Sequence, residues 1–308
     1  MNSPLARVIL ATLGGYLLIL LFLSVYDWAL EEYPRRPAQP MKSERVQHQF
    51  HHQEAIKALE LFSRLPKREK IAIKENLKSN LISIKQWLTR IRQSNFQILC
   101  MGELHKESTR SFLSKEFFAN FSVDVLLLEA TPEELKRLIK RMEAGRDYFP
   151  LLDADIMNIL RTVRDRHPDI KIYGIEETEK QAKNHHGHSN SRDQSIAQNF
   201  WDKFEPGLRH IILFGALHCT NESNWLFHNL CSQASPTLKD KMLNVCVLGE
   251  HQNGPLEAFV YFIDEIGVEK KHFVIHDTRS LPDQIYEWFP LLNRQTLGKY
   301  RSLIVFRS

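Results

Sequence analysis

The chain has 308 residues, 43% of them hydrophobic and 25% charged, with a formal net charge of +4. That is enough apolar material for one large domain or two small ones, and too balanced a composition for a disordered tail or a fibrous repeat. The mild positive charge does not argue for nucleic acid, and four scattered cysteines without a Cys-x-x-Cys exclude a disulfide-dense scaffold.

Val8–Tyr26 carries no charge over 19 residues. As a helix it would span roughly 28 Å, close to the thickness of a bilayer core. Arg7 precedes it; Asp27, Glu31 and Glu32 follow, with Trp28 and Tyr33 placed for the interface. The run is longer than a signal-peptide core and no small-x-small cleavage site follows, so residues 1–31 are expected to be an uncleaved single-pass anchor in membrane lipid. Arg35, Arg36, Lys42 and Arg45 beyond the span favour a cytoplasmic body, whereas a short tail with acids after the span resembles an export-type anchor. The expected placement is the exported, periplasmic side. Residues 32–42 hold Pro34, Pro37 and Pro40 and read as an extended linker.

Residues 43–94 read as basic amphipathic helices. Ser43–Leu65 shows a helical pattern ended by Pro66, and Lys67–Gln93 places Ile73, Leu77, Leu81, Ile84, Leu88 and Ile91 at steps of three or four. The opposite positions are rich in Lys and Arg, which suits either a solvated helix face on the body or a face near anionic headgroups.

From Asn95 to Ser308 apolar strands alternate with helices. Strands are expected at Phe96–Met101, Val123–Ala130, Ile170–Glu177, His210–His218, Met242–Leu248, Leu256–Ile263, His272–His276 and Leu303–Phe306. Helices are expected at Thr109–Phe121, Thr131–Ala144, Asp153–Arg166, Arg192–Phe204 and Asn224–Cys231, with Lys180–Ser191 a polar loop. The pattern predicts an α/β fold: a mainly parallel central sheet with helices on both faces, antiparallel strands added by the C-terminal part, and a transmembrane helix ahead of it.

Two of these strands end alike, at Gly102-Glu103-Leu104-His105 and Gly215-Ala216-Leu217-His218; Glu129, Glu176 and Glu177 close two others. In a parallel sheet such ends share one edge, where ligands bind. Acids and histidines gathered there need a joint chemistry. One option is a divalent transition metal (Zn, Mn, Co or Fe) held by His105, His218, Glu103 and Glu129, with an activated water. The other is metal-free hydrolysis by a histidine base oriented by a carboxylate. The His185, His186 and His188 loop and His276-Asp277 are more remote candidates. Cys100, Cys219 and Cys246 lie in or beside apolar runs and are expected to be buried free thiols.

At these motifs the chain resembles the superfamily of erythromycin esterase-like, ChaN-like haem-binding and Tiki/TraB proteins. The resemblance covers Gly102–His105, Glu129, Arg192-Asp193-Gln194-Ser195-Ile196-Ala197, Gly215–His218 and the closing Tyr300–Phe306. It implies a site of Glu103, His105, Glu129 and His218, with Arg192 as partner for an anion or carboxylate. Glu176, from its own strand end, is a further candidate for binding a cofactor. Tiki-like relatives imply metal-dependent peptidase activity, esterase-like relatives a histidine base, and ChaN-like relatives haem binding. Lys106 after His105, and the lack of a lipoprotein cysteine, depart from the esterase-like and ChaN-like patterns. The expected function is membrane-anchored hydrolysis of a peptide or ester bond, metal-dependent. Its alternatives are a haem- or iron-binding protein without turnover and a degenerate scaffold.

Overall fold

A computed structural model describes residues 42–105, 107–145, 153–184, 189–249, 255–268 and 272–306. The chain divides into two compact units, Met1–Gln47 and His48–Ser308. The expected anchor and linker, Lys106 and the His185, His186 and His188 tract lie outside the described residues. Among the described residues no helix is long and apolar enough to cross a membrane.

In chain order the elements that frame the site are α1 (Lys42–Arg64), α2 (Lys67–Asn80), β1 (Leu81–Ile82), α3 (Ile84–Gln93), β2 (Ile98–Glu103), α4 (Glu107–Phe112), β3 (Val125–Leu128), α5 (Pro132–Glu143), α6 (Asp153–Arg166), β4 (Lys171–Gly174), α7 (Glu179–Asn184) and α8 (Ser189–Trp201). There follow β5 (His210–Gly215), a 3-10 turn (Ala216–Cys219), α9 (Leu226–Gln233), α10 (Pro236–Lys239), β6 (Met242–Gly249), α11 (Pro255–Glu265), β7 (His272–Ile275), α12 (Asp283–Trp288) and β8 (Ser302–Phe306).

The strands form one mixed sheet in the order β1-β7-β8-β6-β2-β5-β3-β4. Strands β8, β6, β2, β5, β3 and β4 run parallel, and β7 lies antiparallel to both β8 and β1. The parallel centre agrees with expectation, but of the C-terminal strands only β7 is antiparallel; β6 and β8 extend the parallel part of the sheet. Because successive strand residues face opposite sides, the apolar runs feed two cores. Ile98, Cys100, Val125, Leu127, Ile212 and Phe214 pack one face, against α1, α2, α8, α9 and α11. Leu99, Met101, Leu126, Leu128, Ile211 and Leu213 pack the other, against α3, α4, α5 and α6.

Lys180–Ser191 is not a loop throughout, since α7 covers Glu179–Asn184 and α8 begins at Ser189. Three further expectations need correction. Leu256–Ile263 is not a strand but the middle of α11. Leu256, Phe259, Phe262, Ile263 and Ile266 are buried while Tyr261 is exposed, a period of three to four that a nearly all-apolar segment hides. The single helix expected over Lys67–Gln93 is two helices. Ser83 forms a capping box with Gln86 that restarts the chain as α3, and Leu81 and Ile82 pair with Ile275 and Val274 of β7. Cys100 and Cys219 are not free thiols but a disulfide, with Cα atoms 5.5 Å apart. Cys246 is a buried free thiol as expected, and burial pushes its pKa up to about 12.

The basic helices belong to the same unit as the sheet from His48 onward. Ala55, Ala58, Phe62, Ile73 and Leu77 are buried in the sheet's core, while Lys67, Arg68 and Lys78 are exposed.

Candidate functional site

The register builds the site. Glu103, the last residue of β2, is paired with Gly215, the last of β5; Leu128 of β3 is paired with Leu213 of β5 and Gly174 of β4. Glu129 and Glu176 lie just past their strands, so four neighbouring strand ends deliver Glu103, Glu129, Glu176 and the Gly215–His218 turn to one edge. All six residues expected at the site, His105, Glu103, Glu129, His218, Arg192 and Glu176, come together. His276 and Asp277 do not. They follow β7, whose antiparallel course takes its end to the opposite edge, where Asp277 pairs with Arg301.

Glu103 is 2% exposed. Its Oε1 lies 2.8 Å from His105 Nδ1 and accepts from Arg110 Nε and Nη2 at 3.0 and 2.9 Å. Its Oε2 accepts the His105 backbone N–H. Burial alone would raise its pKa; the hydrogen bond from His105 and the Arg110 guanidinium overturn that and hold it below the ordinary carboxylate value.

His105 has φ +52°, a left-handed conformation uncommon for a residue with a side chain. Its side chain is 43% exposed, and Nε2 lies 3.4 Å from Glu129 Oε2. Arg110 Nη2 also sits 2.9 Å from His105 Nδ1, but a guanidinium has only donors, so both groups point their protons at Glu103 Oε1. This assigns the ring proton to Nδ1. The hydrogen bond to Glu103, against partial burial, raises the His105 pKa above its usual value.

Glu129 links the two halves. Its Oε2 accepts the Gly215 backbone N–H at 2.7 Å, and its Oε1 accepts from Arg192 Nη2 at 3.2 Å. Arg192, near the start of α8, also grips Glu176 as a fork, Nε to Oε1 at 2.9 Å and Nη2 to Oε2 at 2.7 Å. That fork raises its pKa, so it stays charged at every working pH.

His218 is more deeply buried than His105. Its side chain is only 9% exposed, with Nδ1 2.5 Å from Asp193 Oδ1. Asp193 thus fixes the proton on Nδ1, leaving Nε2 to accept from Arg192 Nη1 at 3.3 Å. The edges of Phe214 and Trp225 close around the ring. The turn carrying it is held by the Tyr300 hydroxyl, which donates to the Ala216 carbonyl at 2.7 Å, and by the Cys100–Cys219 disulfide.

The site contains functional groups the strand-end reading missed. Arg110 belongs to the short helix α4 that follows the first motif. Asp193 stands next to Arg192, near the start of α8.

The donor set does not suit a divalent cation. Arg110 sits on Glu103, and Arg192 sits on both Glu129 and Glu176, so each carboxylate already has a fixed positive partner. His218 Nε2 is 3.7 Å from Glu129 Oε1 and faces a guanidinium. Among the described residues no group of three or more His, Cys, Asp or Glu is arranged to hold a metal ion.

Beside His105 opens a cavity of about 680 Å³, within the range of small-molecule sites. It is lined by Glu103, His105, Arg110 and Glu129 together with the apolar Leu128, Leu138, Ile156 and Leu213.

No family model matches the chain, and no curated protein does. Among solved structures the chain is similar to the crystal structure of a Bacillus cereus protein, with 10% identity and a TM-score of 0.44, over 77% of this chain and 97% of that one.

Proposed function

We propose that the chain is a hydrolase of ester or peptide bonds in which His105 is the general base and no resident metal takes part. The observation that carries this reading is the Glu103–His105 pair: a buried, arginine-held carboxylate fixing the Nδ1 proton of an imidazole that lines a cavity, with its other nitrogen 3.4 Å from Glu129. In the reaction, water at His105 Nε2 gives that atom a proton as its oxygen bonds to the substrate carbonyl carbon. The half-exposed guanidinium of Arg192 faces the negative charge that develops on the carbonyl oxygen. Collapse of the adduct breaks the bond to the alcohol or amine, which takes the proton back from His105. His218 and Asp193 act by positioning Arg192.

This replaces the metal-bound water expected from the sequence, because the arginines occupy the carboxylates that a cation would need. The reading keeps the chain within the esterase-like side of the resemblance drawn from its motifs. Export behind an anchor at residues 8–26 remains part of the proposal, and the Cys100–Cys219 disulfide supports an oxidising compartment.

The test is a panel of chromogenic esters and dipeptides offered to the full-length protein before and after dialysis against a chelator, with His105→Ala alongside. Turnover that survives dialysis and falls about 10²–10⁴-fold in the variant is expected. Turnover lost to the chelator and restored by zinc or manganese would reinstate the metal. No turnover, with a Soret band on adding haem, would favour the binding-protein reading.

A further inference from the structure

We propose that the cavity beside His105 selects amphipathic organic anions: substrates with an apolar body and a carboxylate or similar anionic group seated against Arg137. The inference deepens the hydrolytic reading and rests on it only for the bond that is cut.

The argument is a charge balance of the cavity wall. Glu103 is matched by Arg110 and His105, and Glu129 by Arg192 and the Gly215 N–H. The third acid of the lining, Glu134, spends one carboxylate oxygen on the backbone N–H and hydroxyl of Thr131, in the capping box that starts α5. Glu103 and Glu129 are therefore each paired with an arginine, while Glu134 has only neutral partners, both on one oxygen. Arg137 lines the same cavity, is exposed, and has no ion-pair or hydrogen-bond partner among the described residues. It stands three residues after Glu134, and Arg141 follows one turn later on the same helix face, also in the lining. The same lining holds the apolar side chains of Leu138, Ile156, Leu128 and Leu213. A ligand that satisfies this wall places carbon against the leucines and negative charge at the rim. A cationic ligand would meet Glu103 and Glu129 already paired with arginines, and an arginine of its own sign at the exposed end.

The arrangement also explains why an arginine suits position 137. A planar guanidinium engages a carboxylate or phosphate through two parallel hydrogen bonds, which a point charge does not.

The experiment is titration calorimetry on the full-length protein with hexanoate, hexanamide and hexylamine, together with hydrolysis of 4-nitrophenyl butyrate and of the mono-4-nitrophenyl ester of glutaric acid. Hexanoate should bind most tightly. Arg137→Ala should weaken hexanoate about ten- to a hundredfold, as expected for one charge-assisted hydrogen-bonded pair. The same variant should leave hexanamide and the melting temperature unchanged, raise KM for the anionic ester alone, and leave kcat as it was. Arg137→Lys should recover part of the loss. Undetectable hexanoate binding, hexanamide or hexylamine binding as tightly as hexanoate, or an unaltered hexanoate affinity in Arg137→Ala would each overturn the inference. Arginine-dependent hexanoate binding without turnover of either ester would instead uphold the subsite and sink the hydrolytic reading.

Discussion

A Cβ atom added to Gly215 would lie 2.7 Å from Nε2 of His105. The reciprocal relation holds at the other motif: a Cβ on Gly102 would lie 2.8 Å from the Cα of Ala216. Each glycine makes room for the residues that follow the other glycine. The two Gly-x-x-His sequences are thus halves of one packing arrangement, with β2 and β5 side by side and each turn folded over its neighbour's end.

The two contacts differ in what has to give, and so do the expected variants. Gly102→Ala meets backbone, which cannot swing aside, and should cost about 1–3 kcal/mol as an overpacked core site does. Gly215→Ala meets the end of a side chain. It should displace the His105 ring, lowering turnover with a smaller loss of stability. Urea unfolding and ester turnover on both variants check this; equal stability losses would contradict it.

Turnover should rise with pH along a limb set by His105. The base must be neutral, and the Glu103 hydrogen bond raises its pKa above 6.5, so the midpoint belongs on the alkaline side of an ordinary histidine. Stability runs the other way. A pKa raised on folding means that the charged pair stabilises fully below about 6.5 and that this contribution fades as pH rises through the folded value. Glu103, depressed in the fold, stabilises above about 4.5 and loses that contribution as pH falls through its own folded value. A pH–rate profile beside unfolding midpoints from pH 4 to 9 would show both, and a turnover limb unmoved by Glu103→Gln would remove His105 from that role.

Removing the Glu103 charge should separate chemistry from folding. Glu103→Gln keeps an acceptor but no longer fixes the imidazole proton by charge, so kcat should fall about 10²–10⁴-fold with KM little changed. Glu103→Ala leaves buried Arg110 without its carboxylate and should cost about 3–5 kcal/mol. Steady-state kinetics and urea unfolding of the two variants give these separately. A Glu103→Gln enzyme with wild-type kcat would make the pair structural.

Much of the site was legible because polar residues end apolar runs. Glu103, Glu129 and Glu176 are visible as the points where a buried strand stops, and parallel register then brings them together without further information. Arg110 and Asp193 were harder. Their importance lies in what they face across the fold, and their sequence neighbours give no sign of it. The same limit hid the antiparallel pairing of Leu81–Ile82 with β7, which falls inside a helical period. It also hid α11, where uniform apolarity masks the period. Cys100 and Cys219 are 119 residues apart, and only the pairing of β2 with β5 brings them within bonding distance.

That disulfide yields the last prediction. Cys100 lies three residues before Glu103 and Cys219 directly follows His218, so the bond ties together the two segments that carry the site's histidines. It closes a long loop, and its removal should cost about 2–5 kcal/mol, mainly by releasing the unfolded chain. Thiol labelling of the denatured, unreduced protein should find Cys231 and Cys246 alone. Reduction or the Cys100→Ala/Cys219→Ala pair should lower the unfolding midpoint. Because Asn244 Nδ2 and Tyr300 Oη still hold the turn through the Cys219 and Ala216 carbonyls, turnover below the new midpoint should persist. Four reactive thiols in protein purified without reductant would show that the bond does not form, and with it would go the support for an oxidising compartment.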